Sequence, residues 1–139
     1  MKLAIFTLEE ANRLIEEIRP RIQHLVEAKR EFDGNQARLD VLALATAGAS
    51  PENPDARELQ ALRGRQTELT EAITQGVQAV HRRGCLLKDL ERGLVDFYAL
   101  SGDRLVFLCW QLGEAEVSHW HTLEGGFGSR RPLDRSELE

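Results

Sequence analysis

The residues best suited to chemistry lie in one stretch near the C-terminus, LCWQLGEAEVSHWHTLEGGFGSRRP, from Leu108 to Pro132. This stretch contains both tryptophans of the chain, two of its four histidines and one of its two cysteines. Three glutamates and two adjacent arginines are interleaved with them. Side chains of these types can hold a metal ion, transfer protons or bind an anion. The stretch therefore indicates where a function would be located, but it selects no reaction, so no catalytic residue is assigned.

A metal site is the first interpretation of this stretch. Residues two apart on a β-strand point to the same face, so His119 and His121 can share one ion while Trp120 points the other way. Glu114 is the predicted third ligand, and zinc or a similar divalent metal is the predicted cofactor. The alternatives for the third position are Glu116, Asp96 and Cys109. The structural alternative is a hydrogen-bonded pair of surface histidines.

The register between neighbouring strands decides which side chains lie beside the histidines. A three-residue turn at 113–115 would place Cys109 opposite His119, whereas a two-residue turn would place Leu108 there. Cys109 itself is flanked by Leu108 and Trp110 in an apolar strand, which is typical of an inert buried thiol rather than a nucleophile.

A metal-free pocket is the second interpretation, and its ligand-binding residues are Asp96, Glu114, His121 and Arg130. His121 would act as acid or base and a carboxylate would orient it. Arg130 would hold a small anionic ligand. The structural alternative is a buried ion-pair network that fixes the C-terminal tail onto a sheet. Near the junction between the helices and the predicted sheet, Lys88 and Asp89 are predicted to form a local ion pair.

Composition excludes several classes of function. A length of 139 residues predicts one domain, over 1–139. The net charge of −5 disfavours nucleic-acid binding, because phosphate contacts need a surplus of lysine and arginine. The apolar run from Leu3 to Phe6 is too short for a signal peptide, and no longer run predicts a membrane span. Two isolated cysteines are not typical of a disulfide scaffold, so a reducing, cytoplasmic location is predicted.

The N-terminal part predicts a helical hairpin over about residues 7–83. Thr7 and Glu10 match the Thr-x-x-Glu capping box that begins a helix. An apolar stripe with three-four spacing follows, through Leu8, Ala11, Ile15, Ile18, Ile22 and Leu25. Pro20 predicts a kink or a break into two helices. The segment ARLDVLALATAG is predicted to be a further helical piece that ends at Gly48.

A second long helix is predicted after the turn ASPENPD, with Asp55 as its N-cap. Its apolar residues recur at coiled-coil spacing, and it ends at Gly84 after a cationic last turn. Two helices with matching stripes predict an antiparallel hairpin.

The pattern changes after Gly84, where GLVDFYAL, RLVFLCWQL and AEVSHWHTL are rich in β-branched and aromatic residues. These segments predict an antiparallel meander over about 85–133, with LLKDL as an added edge strand. The fold class is therefore α+β, a long antiparallel helical hairpin followed by a small three- to four-stranded antiparallel sheet. The middle strand is apolar on both faces, so a second chain is one candidate to cover the outer face, and a homodimer is predicted.

Four segments resemble one known family: FTLEEAN, KDLERGLVDF, LCWQLGE, and WH followed by GFGSR. In this order and over nearly the whole chain, they are similar to the bacterial domain of unknown function 2203 (DUF2203). The resemblance implies a small cytoplasmic protein with no established activity, and it implies an aromatic residue where His119 stands here. The motif positions are Asn12, Lys88, Asp89, Gly93, Asp96, Cys109, Trp110, Gly113, Glu114, Trp120, His121, Gly126, Phe127 and Arg130.

Two classes of function follow from these observations. In the first, the protein has a polar ligand- or metal-binding pocket on its C-terminal sheet. In the second, it is an oligomeric interaction or scaffold protein without catalytic activity. The motif residues cluster in the predicted sheet, which favours the first class.

Overall fold

The computed structural model describes residues 4–134, which form two long helices followed by an antiparallel sheet. Helix α1 spans Leu8–Ala45 and helix α2 spans Pro54–Arg82. The strands are β1 (Leu86–Asp89), β2 (Leu94–Ser101), β3 (Arg104–Gln111), β4 (His119–His121) and β5 (Arg131–Pro132). The predicted α+β class and helical hairpin are confirmed. The assignment of one domain over 1–139 stays a prediction, and Leu3 of the predicted apolar run lies outside the described residues.

Helix α1 begins with the predicted capping box. The Glu10 amide donates to the Thr7 hydroxyl at 3.1 Å, and the Thr7 amide donates to the Glu10 carboxylate at 2.9 Å. The helix then continues without a break through Pro20 and Gly34. The segment ARLDVLALATAG is helical as predicted, but it belongs to α1 and its helix ends at Ala45, so the predicted separate piece and a break at Pro20 are wrong. Proline inside a helix costs roughly 3 kcal/mol. Ile18 and Ile22, on either side of Pro20, are both buried in the main core and offset that cost.

Contacts across the hairpin explain why α1 continues past Gly34. Arg65 of α2 pairs with Glu31 at 2.6 Å, and Arg38 pairs with Glu58 at 2.8 Å, so ion pairs to α2 flank the glycine on both sides. The buried amide of Gln66 also donates to the Phe32 carbonyl at 3.0 Å. Each exposed pair contributes little by itself, but together they span the segment where helix propensity is weakest.

Helix α2 begins two residues earlier than the sequence suggested. Its N-cap is Asn53, whose side-chain oxygen accepts from the amides of Asp55 and Ala56, and Pro54 occupies the first turn. The predicted cap at Asp55 is therefore wrong. Within residues 4–134, neither α1 nor α2 carries an apolar stretch of the kind that a bilayer-spanning helix needs.

The sheet has five strands in the order β1-β2-β3-β4-β5, and every neighbouring pair is antiparallel. The predicted edge strand LLKDL is confirmed as β1. The segment AEVSHWHTL contributes only His119–His121, because residues 112–118 form an irregular connection. The two-residue strand β5, which pairs with β4, was not predicted.

Each face of the sheet packs against a different part of the chain. One face joins the helices in the main core, with Phe97, Leu108 and Trp110 packed among the residues of α1. The other face carries Phe107 and Cys109, which are also buried within the single chain. From the C-terminal tail, Arg130 reaches this second face and donates to the Cys109 carbonyl at 3.3 Å. Phe107 and Cys109 are therefore covered without a second chain, whereas Leu100 on the same face is 48% exposed. The oligomeric state stays a prediction.

Gly93 lies in the turn between β1 and β2, close to α1, and offers a direct test of this packing. Its φ is +69°, and a side chain there would bring a Cβ within 2.7 Å of Leu112 Cβ and 3.2 Å of Ile22 Cγ2. Gly93→Ala should lower the free energy of unfolding by about 2–4 kcal/mol, since backbone strain and overpacking add. Gly102→Ala is the matched control, because φ is +63° but nothing lies within 4 Å. Equal losses for both variants in urea unfolding would contradict the close packing at Gly93.

Candidate functional site

Three potential metal ligands meet on the sheet face that points away from the helices. Asp96 of β2 lies opposite Cys109 of β3, and Cys109 lies opposite His119 of β4. His121 is two residues beyond His119 and shares its face. One ligand atom from each of Asp96, Cys109 and His121 lies within 4.8 Å of the other two. We call these three side chains the Asp-Cys-His cluster, and all of them are buried.

The ring of His121 is held in one orientation. Its Nδ1 lies 2.8 Å from the Thr122 carbonyl oxygen, and its Nε2 lies 3.0 Å from Asp96 Oδ2. A carbonyl oxygen only accepts hydrogen bonds, so Nδ1 carries the proton in this contact. Nε2 therefore faces the cluster as the nitrogen available to bind a metal, or as the donor to Asp96 when the ring is protonated.

Cys109 is an inert thiol in the absence of a metal. Burial, together with the neighbouring Asp96 carboxylate, raises the pKa of Cys109 to about 12. The thiolate that attacks an electrophile is thus scarce at neutral pH, which agrees with the interpretation of Cys109 as a poor nucleophile. A bound divalent cation would reverse this preference, because a coordinated thiol is deprotonated.

Lys88 lies at the exposed edge of the cluster. Its ammonium is 3.8 Å from Asp96 Oδ2 and 4.4 Å from the centre of the Phe107 ring. The predicted Lys88–Asp89 ion pair is wrong, because the Asp89 carboxylate instead accepts from the amides of Glu91 and Arg92 in the turn after β1. The pairing of β1 with β2 is irregular between Leu87 and Asp89, and Leu86 of β1 lies opposite Asp96.

Glu114 forms a second polar group on the other side of Cys109. Its Oε1 accepts from Arg130 Nη2 at 2.7 Å and from the backbone N–H of Gln111 at 2.7 Å. Its Oε2 lies 3.6 Å from His119 Nδ1. Arg130 is also close to the aromatic ring of Phe127, so the tail is attached to the sheet through this group.

The connection that carries Glu114 is fixed from three directions. The Trp110 indole donates to the Glu114 carbonyl at 3.0 Å. Asn12 of α1 accepts from the Val117 amide at 2.7 Å, and Arg19 donates to the Ala115 carbonyl at 2.9 Å. Helix α1 therefore sets the position of the segment between β3 and β4, and with it the register of His119 and His121.

The predicted site residues divide into two pairs. Of the predicted pocket, Asp96 pairs with His121 and Glu114 pairs with Arg130, with Cys109 between the pairs. Of the predicted metal ligands, His119 and Glu114 lie next to each other, whereas His121 turns to Asp96. Cys109 was considered as a third ligand, and the register that places it opposite His119 is the one expected for a turn at 113–115. Lys88 was not expected at the site.

The sequence model of the uncharacterised conserved protein family DUF2203 matches residues 4–133. No curated protein and no solved structure matches the chain at a significant level.

The burial of the thiols can be tested by alkylation. Burial raises the pKa of Cys85 to about 11, and Cys109 is shifted further, so neither should react with iodoacetamide at pH 8 in the folded protein. Both should react fully in denaturant, as measured by intact mass. Cys85→Ser isolates the signal of Cys109. Rapid modification of Cys109 in the folded variant would contradict the buried position described here.

Proposed function

The chain belongs to the uncharacterised DUF2203 family, and we propose from the geometry of the site that it binds a divalent transition metal, zinc or a similar ion, at Asp96, Cys109 and His121. The observation that carries the proposal is the convergence of a carboxylate, a thiol and an imidazole within 4.8 Å on three adjacent strands. Zinc uses these three donor types in proteins.

The spacing of the cluster supports the proposal. Zinc–ligand bonds of about 2.0–2.3 Å in a tetrahedron separate the ligand atoms by roughly 3.3–3.8 Å. The 3.0 Å between His121 Nε2 and Asp96 Oδ2 is close to that range, and the whole cluster lies within 4.8 Å. Small side-chain rotations would therefore seat an ion without moving the strands.

The surroundings of His121 also support metal binding. Metal-bound histidines commonly donate their second ring N–H to a carbonyl or carboxylate, which fixes the tautomer and the ring plane. The Thr122 carbonyl occupies this position beside Nδ1. The thiolate ligand requires a reducing compartment, and both cysteines are free. The proposal therefore includes a cytoplasmic location.

The Glu114–Arg130 pair completes the polar ligand pocket in this proposal. Glu114 and Arg130 form an ion pair at 2.7 Å beside Cys109. Because each charge neutralises the other, neither side chain competes for the ion. With three protein ligands, a tetrahedral metal has one coordination position left for water or another small ligand. Proteins with structural zinc fill that position with a fourth side chain, whereas an open position is typical of sites that bind or transform a ligand.

Metal content tests the proposal directly. Protein purified without a histidine tag should contain about one zinc or similar ion per chain by elemental mass spectrometry, either as isolated or after zinc loading and dialysis. His121→Ala and Cys109→Ala should each remove it, because each deletes a ligand atom. Adding a chelator should lower the melting temperature of the wild type and leave that of Cys109→Ala unchanged, since a metal stabilises only the fold that binds it.

His119→Ala is the matched control for the metal experiment. His119 lies on the same strand and the same face as His121, but its Nδ1 contacts Ser118 Oγ at 3.0 Å and Glu114 at 3.6 Å. This variant should retain the metal. Loss of metal in His119→Ala, with retention in Cys109→Ala, would move the site to His119, His121 and Glu114. A wild type that takes up no metal under loading would overturn the proposal.

Self-association is a second candidate function, and the far end of the hairpin supports it. Leu44 and Val41, in the last turns of α1, are 83% and 57% exposed. A cleft of about 630 Å³ lies at the same end of the hairpin and is lined by residues of the inter-helix turn and of α2, including Pro51 and Leu59. A second copy of the chain would cover these apolar side chains, and the hairpin would then act as a dimer arm.

Light scattering at micromolar concentration tests self-association. The wild type should have the mass of a dimer, and Leu44→Glu should shift it to the monomer by placing a charge in the apolar contact. Leu100→Glu is the control, because Leu100 is an exposed leucine on the sheet, away from the hairpin end. A monomeric wild type would rule out this candidate.

A further inference from the structure

Lys88 lies between the Asp-Cys-His cluster and the solvent. Its side chain is 44% exposed, whereas that of Asp96 is 5% exposed and that of His121 is 3% exposed. The ammonium is fixed by two contacts, 3.8 Å to Asp96 Oδ2 and 4.4 Å to the Phe107 ring centre. Phe107 in turn packs against His121, with 5.3 Å between the ring centres. A molecule that approaches the cluster past this edge therefore meets the ammonium of Lys88 first.

The charges around a bound metal would not balance without a further anion. The complex of a divalent ion with the Asp96 carboxylate, the Cys109 thiolate and a neutral His121 imidazole has no net charge. Lys88 then contributes one excess positive charge beside the ion. Arg130 adds none, because Glu114 pairs with it at 2.7 Å. A monoanion at the open coordination position would cancel the excess.

We propose that the open coordination position of this site takes a small carboxylate, with one oxygen on the metal and the other held by the Lys88 ammonium. This inference rests on the proposed metal site. A carboxylate offers two oxygens and a single negative charge, which match one open position and one ammonium. A phosphate group carries more negative charge at neutral pH than the site would balance.

The burial of the cluster favours a small carboxylate. The three ligand side chains are buried, and Phe107 borders the cluster beside the half-exposed Lys88. The carboxylate end of the ligand would lie at the metal, and the rest of the ligand would extend outward past Lys88. The substrate class is therefore a small organic acid that binds through its carboxylate end.

Cobalt-loaded protein with acetate as the probe tests this inference. Tetrahedral cobalt absorbs visible light, and replacing its bound water with a carboxylate changes that spectrum. Acetate should change the spectrum of the wild type in a saturable manner. Lys88→Met should keep the cobalt and raise the dissociation constant for acetate about tenfold or more, which corresponds to the loss of one charge-assisted contact. Lys88→Arg should bind acetate within about threefold of the wild type, because the positive charge is retained.

Lys29→Met is the matched control. Lys29 has the same two kinds of contact, an ion pair with Asp33 at 2.6 Å and a position 6.0 Å from the Phe32 ring centre, but it lies on α1. This variant should bind acetate as the wild type does. An unchanged cobalt spectrum, or equal acetate affinity in Lys88→Met, would overturn the carboxylate inference and leave the metal site standing. Loss of cobalt in Lys88→Met would also overturn it, since Lys88 would then be positioning Asp96. A wild type that binds no cobalt would overturn the metal site and this inference together.

Discussion

The antiparallel register of β2, β3 and β4 is the constraint on which the rest of the structure depends. It aligns Asp96 with Cys109, and Cys109 with His119, across three strands. Side chains alternate between the faces of a strand, so a slip of one residue would exchange the polar and apolar faces of the whole strand. The same register that collects the polar groups on one face places Leu108 and Trp110 in the core. Core packing and the candidate site are thus two results of one alignment.

The connection between β3 and β4 maintains that register with polar contacts rather than with a tight turn. Glu114 accepts from the Gln111 amide and from Arg130, and its carbonyl accepts from the Trp110 indole. Asn12 binds the same connection from α1 through the Val117 amide. One glutamate therefore links the end of a strand, the tail and, through the connection, the first helix. Its removal would leave the Arg130 guanidinium buried without its carboxylate, which is costly in a protein interior.

Local signals in the sequence were sufficient for the elements that depend on neighbouring residues. The Thr7–Glu10 capping box, the glycine that ends α2 and the alternation of β2 and β3 all depend on short-range chemistry. Continuity through Pro20 and Gly34 was not predictable in this way, because core contacts and cross-hairpin pairs offset unfavourable local preferences. The same reason applies to β5, a two-residue strand defined only by its pairing with β4.

The candidate site followed from the sequence only in part, for a related reason. Cys109 has apolar neighbours along the chain, and its polar neighbours, Asp96 and His121, come from adjacent strands. The sequence left the alignment of β3 with β4 open between two turn lengths, and it does not determine the rotation of each side chain. His119 and His121 share a face as expected, yet each contacts a different carboxylate. The position of the Lys88 ammonium, 3.8 Å from Asp96, depends on the pairing of β1 with β2, which the local sequence does not determine.

The two halves of the hairpin differ in what supports them. Near the sheet, α1 contributes residues from Ala11 to Val26 to the main core, whereas the buried Leu42, Leu59 and Leu69 lie outside that core. Among residues 4–134, the outer half is therefore held by helix–helix contacts, and we expect it to open at a lower free energy than the sheet. Amide hydrogen exchange would divide the molecule into two cooperative units, with the candidate site entirely in the slower one. Fraying of the outer unit, or changes in its length during evolution, would leave the Asp-Cys-His cluster undisturbed.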